Sequence, residues 1–196
     1  MRKQQVVTSS HVQRCPWAEK NLLLRQYHDE EWGVPNYDER YIFEMLSLEG
    51  AQAGLSWITI LSKRDAYRAA FHDFDIQRCA EMNNDELERI ITDYGIVKNR
   101  KKVYSVRQNA LAVIQIQKEY GSFSSYLWDY TDNHIIKGDW EKESSIPDKN
   151  DISEKISRDL KKRGFVFVGP VIIYSFLQAI GIINDHVIDC CFNRLI

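Results

Sequence analysis

Apolar residues recur at helical spacing along most of the chain, and this pattern predicts an all-α protein of about eight short helices. In the clearest case Asn84 is the predicted N-cap, and apolar residues from Leu87 to Tyr94 repeat with the spacing of one helix face before Gly95 ends the helix. No run of alternating apolar and polar residues is long enough to predict a sheet.

The same pattern predicts further helices with recognisable ends. Their apolar faces lie at Ile42, Met45 and Leu46 after an Asp38 cap, at 103–113 and at 123–130. Ser153 is the predicted cap of a helix that ends at 161–164, where the cations suit the negative end of the helix dipole. Pro170 begins a buried helix predicted to run from about 171 to 183, which is too short to span a bilayer.

The composition of the chain is that of one globular unit. With 196 residues, of which 44% are hydrophobic and 28% charged, it has enough apolar material for one core. We expect this unit over 14–196 after a disordered extension over 1–13, and we expect the polar segment 137–150 to be poorly ordered. The net charge of −2 excludes nucleic-acid binding by bulk positive charge but allows a local basic patch. Four cysteines without a secretory signal predict a cytoplasmic location, and we expect a monomer.

Two Cys–His pairs far apart in the sequence form a candidate metal site. Cys15 is followed after twelve residues by His28, and His186 is followed after three residues by Cys190. If the second pair stands on one helical turn, both side chains can reach one ion, and Cys2His2 is a closed, structural zinc set. The alternative is that these cysteines are small core residues. Cys191 is a spare thiol that could compete with Cys190.

A turn flanked by glycines is predicted between the last two helices. The segment Gly164 to Gly169 encloses four apolar residues and follows Lys162 and Arg163. Backbone N–H groups of such a turn, and of the helix N-terminus after it, can bind phosphate. The alternative is a helix–turn–helix element with a packing role only. A second basic run, 98–102, could extend a phosphate track or be a solvated face.

One acid lies within an apolar, aromatic-rich block. Glu49 falls in the block 45–57, and Trp17, Tyr27 and Trp32 lie upstream. If its surroundings are buried, the carboxylate must find a partner or its pKa must rise. Aromatic faces around a carboxylate suit a flat cation that donates hydrogen bonds. The alternative is that the aromatic residues are core and Glu49 pairs locally.

Four sequence motifs resemble those of the bacterial 3-methyladenine DNA glycosylase I family, and the similarity runs from about 14 to 191. The motifs are Arg14 to Trp17 (RCPW), Tyr27 to Pro35 (YHDEEWGVP), Leu48 to Trp57 (LEGAQAGLSW) and Asn184 to Val187 (NDHV). The resemblance implies a helix–hairpin–helix DNA glycosylase fold. In that fold two packed helical parts form a single catalytic unit, and a structural zinc joins the N- and C-terminal segments.

The resemblance also implies roles for individual residues. It implies that zinc is bound by Cys15, His28, His186 and Cys190, that the base pocket is formed by Glu49, Tyr27, Trp57, Trp17 and Trp32, and that DNA is contacted by Gly54, Leu55, Lys162, Arg163, Gly164 and Gly169. Gly54 and Leu55 fall where the family wedges the duplex open. Glu49 would accept hydrogen bonds from a base stacked between Tyr27 and Trp57. It is also the candidate catalytic residue, as the nearest group that could activate water, although the two roles would compete.

The implied activity is hydrolysis of the N-glycosidic bond of 3-methyladenine in alkylated double-stranded DNA. The base would be flipped out, released as the free base, and an abasic site would remain. Asn184 stands where related glycosylases have a catalytic Asp, which leaves the water-activating group open, and Leu24 stands where some members have a Tyr on the pocket wall. The hairpin lacks the lysine of lyase-type relatives, which implies a monofunctional enzyme.

Two other functions agree with parts of this pattern. A zinc-stapled DNA-binding module needs the hairpin and the metal, but it has no need of a carboxylate among aromatic rings. A zinc hydrolase or deaminase needs an open coordination position and signatures such as His-x-Glu with Pro-Cys-x-x-Cys, which the sequence lacks.

Overall fold

Helices make up most of the described chain, which is residues 12–194 of the computed structural model. Its α-helices are α1 (Leu22–Glu30), α2 (Glu39–Gln52), α3 (Trp57–Leu61), α4 (Arg64–Ala70), α5 (Ile76–Glu81), α6 (Asn84–Asp93), α7 (Arg100–Tyr120), α8 (Phe123–Trp128), α9 (Asp151–Lys162) and α10 (Pro170–Ala179). Its 3₁₀ helices are Pro16–Lys20, His72–Phe74, Asp129–Thr131, Glu143–Ser145 and Cys191–Arg194. The helical prediction is confirmed, and the described residues contain more helices than expected. Residues with positive φ at 72–74 separate α4 from α5.

The expectation of no sheet is wrong in one place within the described residues. Strand β1 (Ile136–Lys137) pairs in parallel with strand β2 (Ile183–Asn184). Each strand has only two residues, which is too short for an alternating pattern to be recognised in the sequence. The segment 137–150 begins on a strand and includes the 3₁₀ helix Glu143–Ser145, and its other residues form neither helix nor strand, so its lower order stays a prediction.

Several helix ends differ from the predicted ones. Asp38 caps α2 as predicted, by accepting from the backbone N–H of residue 41. Asn83 rather than Asn84 caps α6, and Asn150 rather than Ser153 caps α9. In both corrected cases the side chain of the third helical residue accepts a hydrogen bond from the backbone N–H of the cap residue. This reciprocal capping box fixes where each helix begins.

Helix α10 ends at Ala179, earlier than the predicted end near 183. Gly181 has a φ of +74°, and a Cβ there would lie 2.3 Å from Pro35 N, so only glycine lets these two segments approach so closely. None of the helices in residues 12–194 is long and apolar enough to cross a membrane. The predicted extension over 1–13 lies mostly outside the described residues, although Gln13 O accepts from Cys191 N.

Helix α2 is the centre of the fold, because every residue from 42 to 51 is buried. The turn between α9 and α10 packs directly on it. A Cβ at Gly50 would lie 3.2 Å from Phe167 Cβ, so the hairpin turn touches α2 one residue from Glu49. The fold thereby fixes the hairpin relative to the acid in the aromatic block.

Candidate functional site

The two Cys–His pairs meet in one buried cluster. The ligand atoms of Cys15, His28, His186 and Cys190 all lie within 4.8 Å of one another, and all four residues are buried. His186 Nδ1 is 3.1 Å from His28 Nε2 and 3.6 Å from Cys15 Sγ. Hydrogen bonding from Cys15 and from the two imidazoles lowers the pKa of the Cys190 thiol. The cluster can therefore hold one metal ion between four protein ligands.

The outer nitrogens of both imidazoles fix which nitrogens face each other. His28 Nδ1 lies 2.8 Å from Asp29 Oδ1, and His186 Nε2 lies 3.1 Å from Trp32 O. A carboxylate and a carbonyl only accept hydrogen bonds, so these outer nitrogens carry the protons. The inner nitrogens, His28 Nε2 and His186 Nδ1, then present two lone pairs to each other, an arrangement that a cation between them stabilises.

The structure corrects two details of the predicted metal site. His186 and Cys190 do not stand on a helical turn. The chain stays extended after β2 and then forms a turn in which Cys190 N donates a hydrogen bond to Val187 O. Cys191 is exposed and its thiol contacts Gln13 O, so it lies outside the cluster. Asn184 accepts from His186 N and supports the cluster.

A cavity of about 540 Å³ lies beside the cluster. The predicted pocket residues Glu49, Tyr27, Trp57, Trp17 and Trp32 all line it, and so does Leu24. Its volume is that of an ordinary small-molecule site. The structure thus brings together the acid and the aromatic residues that the sequence placed far apart.

Glu49 is the unusual group in this cavity. It is only 4% exposed, and neither its Oε2 nor Trp57 Nε1 has a hydrogen-bond partner among the described residues. Burial raises the pKa of the Glu49 carboxyl to about 8. The sequence left open whether the buried Glu49 carboxyl has a local ion-pair partner or a raised pKa, and the structure favours the raised pKa. A ligand that donates to Oε2 would satisfy an atom that is otherwise left without a partner.

Tyr27 and Trp57 do not face each other across the cavity. Their ring centroids are 5.2 Å apart and their planes are inclined by 56°. A flat ligand stacked between two rings needs about 7 Å, twice an ordinary carbon contact. In this structure the two rings form adjoining walls, and they would have to move apart for a base to stack between them, so the sandwich stays a prediction.

One wall of the cavity was not predicted from the sequence. Val171, Tyr174, Ser175 and Gln178 share one face of α10 and line the cavity. Behind them the buried carboxylate of Asp185 accepts from Tyr174 OH and from Gln178 Nε2, each at 2.6 Å. The polar residues at helical spacing in an otherwise apolar helix are the signal that could have identified this wall.

The predicted hairpin is present, and side chains of α7 and α9 hold its backbone: Gln108 donates to Gly164 O, Ser157 donates to Val168 O, and Asn109 makes two bonds. Asn109 donates to Val166 O and accepts from Val166 N, at 3.0 and 2.9 Å. Gly164 has a φ of +88°, and the N–H of Gly169 makes no hydrogen bond to the described residues. This free N–H lies where α10 begins, so the turn keeps its capacity to bind an anion.

The two predicted DNA-contacting cations differ in their surroundings. The side chain of Lys162 is 78% exposed and lies 3.6 Å from Asp159. Arg163 is held by Glu119 at 2.6 Å and donates to Tyr120 OH at 2.9 Å. Lys162 is therefore available to a phosphate, whereas the charge of Arg163 is already paired.

Gly54 and Leu55 lie in the turn between α2 and α3, which we call the wedge turn (residues 53–56). Gly54 has a φ of +79° and open space around it. Leu55 is 41% exposed although it is apolar. An exposed leucine at the tip of a turn is consistent with the predicted wedge.

The raised pKa of Glu49 predicts how stability depends on pH. The folded protein holds the proton between the ordinary value of 4.5 and about 8, whereas the unfolded chain releases it. The stabilisation from this proton is complete below pH 4.5 and is lost as the pH rises through about 8. Between these values the unfolding free energy falls by at most about 1.4 kcal/mol per pH unit. We expect the unfolding free energy of the wild type, minus that of Glu49→Gln, to fall from pH 5 to 8 and then level off. Denaturant unfolding at several pH values measures this, and a difference that does not change with pH would contradict it.

The fold and the cavity together define a class of protein. A hairpin with an N–H free to meet an anion, an exposed leucine at the tip of a turn and a separate buried pocket with an unpartnered carboxyl oxygen are the parts expected of a helical protein that takes one base out of DNA.

Comparisons with known proteins agree with that class. The model of the methyladenine glycosylase family matches residues 17–194, so the chain belongs to this family. It is 44% identical over 180 residues to DNA-3-methyladenine glycosylase 1 of Escherichia coli, covering 92% of this chain and 96% of that protein. It is 40% identical over 177 residues to DNA-3-methyladenine glycosylase of Haemophilus influenzae, covering 90% and 96%. A solved structure that describes 3-methyladenine recognition by 3-methyladenine DNA glycosylase I of Staphylococcus aureus matches with a TM-score of 0.88, at 38% identity and covering 93% and 97%.

Proposed function

We propose that this protein is a monofunctional 3-methyladenine DNA glycosylase that hydrolyses the N-glycosidic bond of the lesion in double-stranded DNA. The observation that carries the proposal is Glu49, a buried carboxyl with an unpartnered oxygen in an aromatic cavity. A relative solved in complex with 3-methyladenine, 38% identical with a TM-score of 0.88, supports the choice of base. A DNA-binding module without catalysis would not need such a group.

The cavity selects a cationic base because the positive charge of the base favours the ionised form of Glu49. Below pH 8 the free protein holds this carboxyl protonated. A cationic base favours the ionised form, so its entry displaces the proton, and the carboxylate then accepts hydrogen bonds from the exocyclic amine. Neutral adenine gains no such charge-assisted bond. Leu24 makes one wall aliphatic where some relatives place an aromatic ring, so stacking rests on the remaining rings.

The bond between the sugar and the base then breaks with its electron pair going to the base. The cationic base becomes neutral as it leaves, so no group has to protonate it. Water adds to C1′ of the oxocarbenium-like sugar and gives up a proton, which leaves an abasic site. Leu55 fills the gap in the base stack, and the N–H groups of the hairpin hold phosphate without reading sequence.

The cluster of two cysteines and two histidines fits zinc. Bonds of about 2.3 Å to sulfur and 2.0 Å to nitrogen give a tetrahedron with N···S edges of about 3.5 Å. Cys190 Sγ lies 3.5 Å from both His28 Nε2 and His186 Nδ1. We infer that zinc bound by Cys15, His28, His186 and Cys190 supplies structure alone, since four protein ligands leave no position for a reacting water. This also argues against a zinc hydrolase or deaminase.

The experiment that tests the function is incubation with methylated duplex DNA, followed by chromatography of the released bases. We expect 3-methyladenine as the main product. Release of 7-methylguanine at a comparable rate would indicate a broader pocket. No release of any methylated base would overturn the proposal.

A further inference from the structure

A lysine from α7 closes the end of α2 that carries the wedge turn. Lys102 Nζ donates to Ala51 O at 2.7 Å and to Ala53 O at 2.6 Å. These carbonyls end α2, which has no basic residue in its own last turn. A cation at this position satisfies the free carbonyls and the negative end of the helix dipole. The basic run 98–102 was considered as a phosphate track, but its last member is turned inward and is only 9% exposed.

The position of Lys102 is unfavourable for its own helix. It lies in the first turn of α7, where the helix dipole repels a cation. Burial lowers the pKa of the Lys102 ammonium, and no carboxylate among the described residues offsets that effect. The two carbonyls of α2 therefore provide the compensation, and the side chain serves the end of α2.

The wedge turn has few other contacts. Gly54 has no atom within 4 Å of its Cβ position, and Leu55 is half exposed. Backbone bonds also close the turn, from Leu55 N to Gln52 O at 2.6 Å and from Ala53 N to Gly50 O at 3.4 Å, and Ser56 bonds to Thr59 at the start of α3. Among the described residues, Lys102 is the one side chain that hydrogen-bonds to the backbone of the wedge turn, so it is placed to fix where the turn leaves α2.

We propose that Lys102 is a positioning residue that holds the wedge turn in the conformation from which Leu55 enters the DNA base stack. The inference rests on the proposed glycosylase function. A turn released from Lys102 would have to be ordered at the moment of insertion, and the lost conformational entropy would lower the population of flipped-out base. Neither Lys102 nor Leu55 lines the base pocket, so capture of a free base would be largely unaffected.

The test compares Lys102→Met with Lys118→Met. Methionine keeps an unbranched side chain one atom shorter than lysine and removes the ammonium group. Lys118 is exposed, lies in the last turn of the same helix and has no assigned role, so it controls for loss of a lysine from α7. We expect Lys102→Met to slow single-turnover release of 3-methyladenine from duplex DNA by about tenfold or more. We expect its affinity for free 3-methyladenine, followed by tryptophan fluorescence, to stay within about twofold of the wild type.

A double-mutant cycle shows whether Lys102 acts through the wedge. In the Leu55→Ala background, Lys102→Met should cause little further loss, because the side chain that it positions is absent. The proposal is overturned if Lys102→Met excises at the wild-type rate, if free-base affinity falls as much as excision, or if the loss is undiminished in the Leu55→Ala background. A wild-type protein that releases no base would instead refute the proposed function.

Discussion

Glu49→Gln is expected to lower the single-turnover rate of 3-methyladenine release by about 100-fold, since a hydrogen bond to a charged group contributes up to about 3 kcal/mol. The amide keeps the shape of the side chain but cannot become a carboxylate when the cationic base enters. Duplex binding should change little, because the hairpin and the tip of the wedge turn, Gly54 and Leu55, lie outside the pocket. Release of base and electrophoretic mobility of a DNA complex measure the two effects separately.

The matched control is Glu141→Gln, the same change at an exposed acid outside the cavity-lining set. It should excise and bind DNA like the wild type. The wild-type kcat/KM should also rise with pH up to about 8, because the free protein must give up the Glu49 proton, and Glu49→Gln should lose this rise. Equal loss of excision and of duplex binding in Glu49→Gln would contradict the assignment of Glu49 to the base pocket.

Loss of the metal is expected to have the largest effect on stability. Purified protein should contain about one zinc per chain, and a chelator or Cys190→Ser should lower the melting temperature by about 10 °C or more. The physical reason is that the ion would join segments separated by more than 150 residues. It would also lie between His28 Nε2 and His186 Nδ1, whose lone pairs face each other 3.1 Å apart. Calorimetry together with metal analysis measures both quantities.

The neighbouring cysteine provides the control for this experiment. Cys191→Ser changes an exposed thiol outside the cluster, so metal content and melting temperature should be unchanged. After chelation the protein should melt at a lower temperature. At temperatures where the metal-free protein is still folded, its rate of excision should be unchanged. A metal-free protein that melts like the zinc-bound one would refute a structural role for zinc.

Periodicity alone predicted the helical class and the faces of the long helices. The apolar positions at 103–113 lie in α7, and Asp38 caps α2 as its position indicated. The ends were predicted less well, because Asn83 and Asn150 compete with Asn84 and Ser153 for the cap and reciprocal side-chain bonds decide between them. The pattern over 123–130 was read as one helix, but α8 ends at Trp128 and a 3₁₀ helix follows.

Chemistry singled out Glu49 and its aromatic neighbours as candidates, the resemblance supplied the roles of the other site residues, and neither predicted how the side chains are arranged. A buried acid among aromatic residues was visible around Glu49, whereas the angle between Tyr27 and Trp57 depends on how α1 and α3 pack. Lys102 was grouped with its basic neighbours because nothing local shows that its side chain turns towards Ala51 and Ala53. A cytoplasmic location, a monomeric state and the extension over 1–13 stay predictions.

The metal cluster has a consequence during protein synthesis. His28 and His186 are 158 residues apart. At ordinary rates of translation, the first Cys–His pair therefore leaves the ribosome about 8 to 30 s before the second. During that interval Cys15 and His28 are available without the other half of the cluster. If the cluster holds zinc as we propose, the site can close only after His186 and Cys190 have been made.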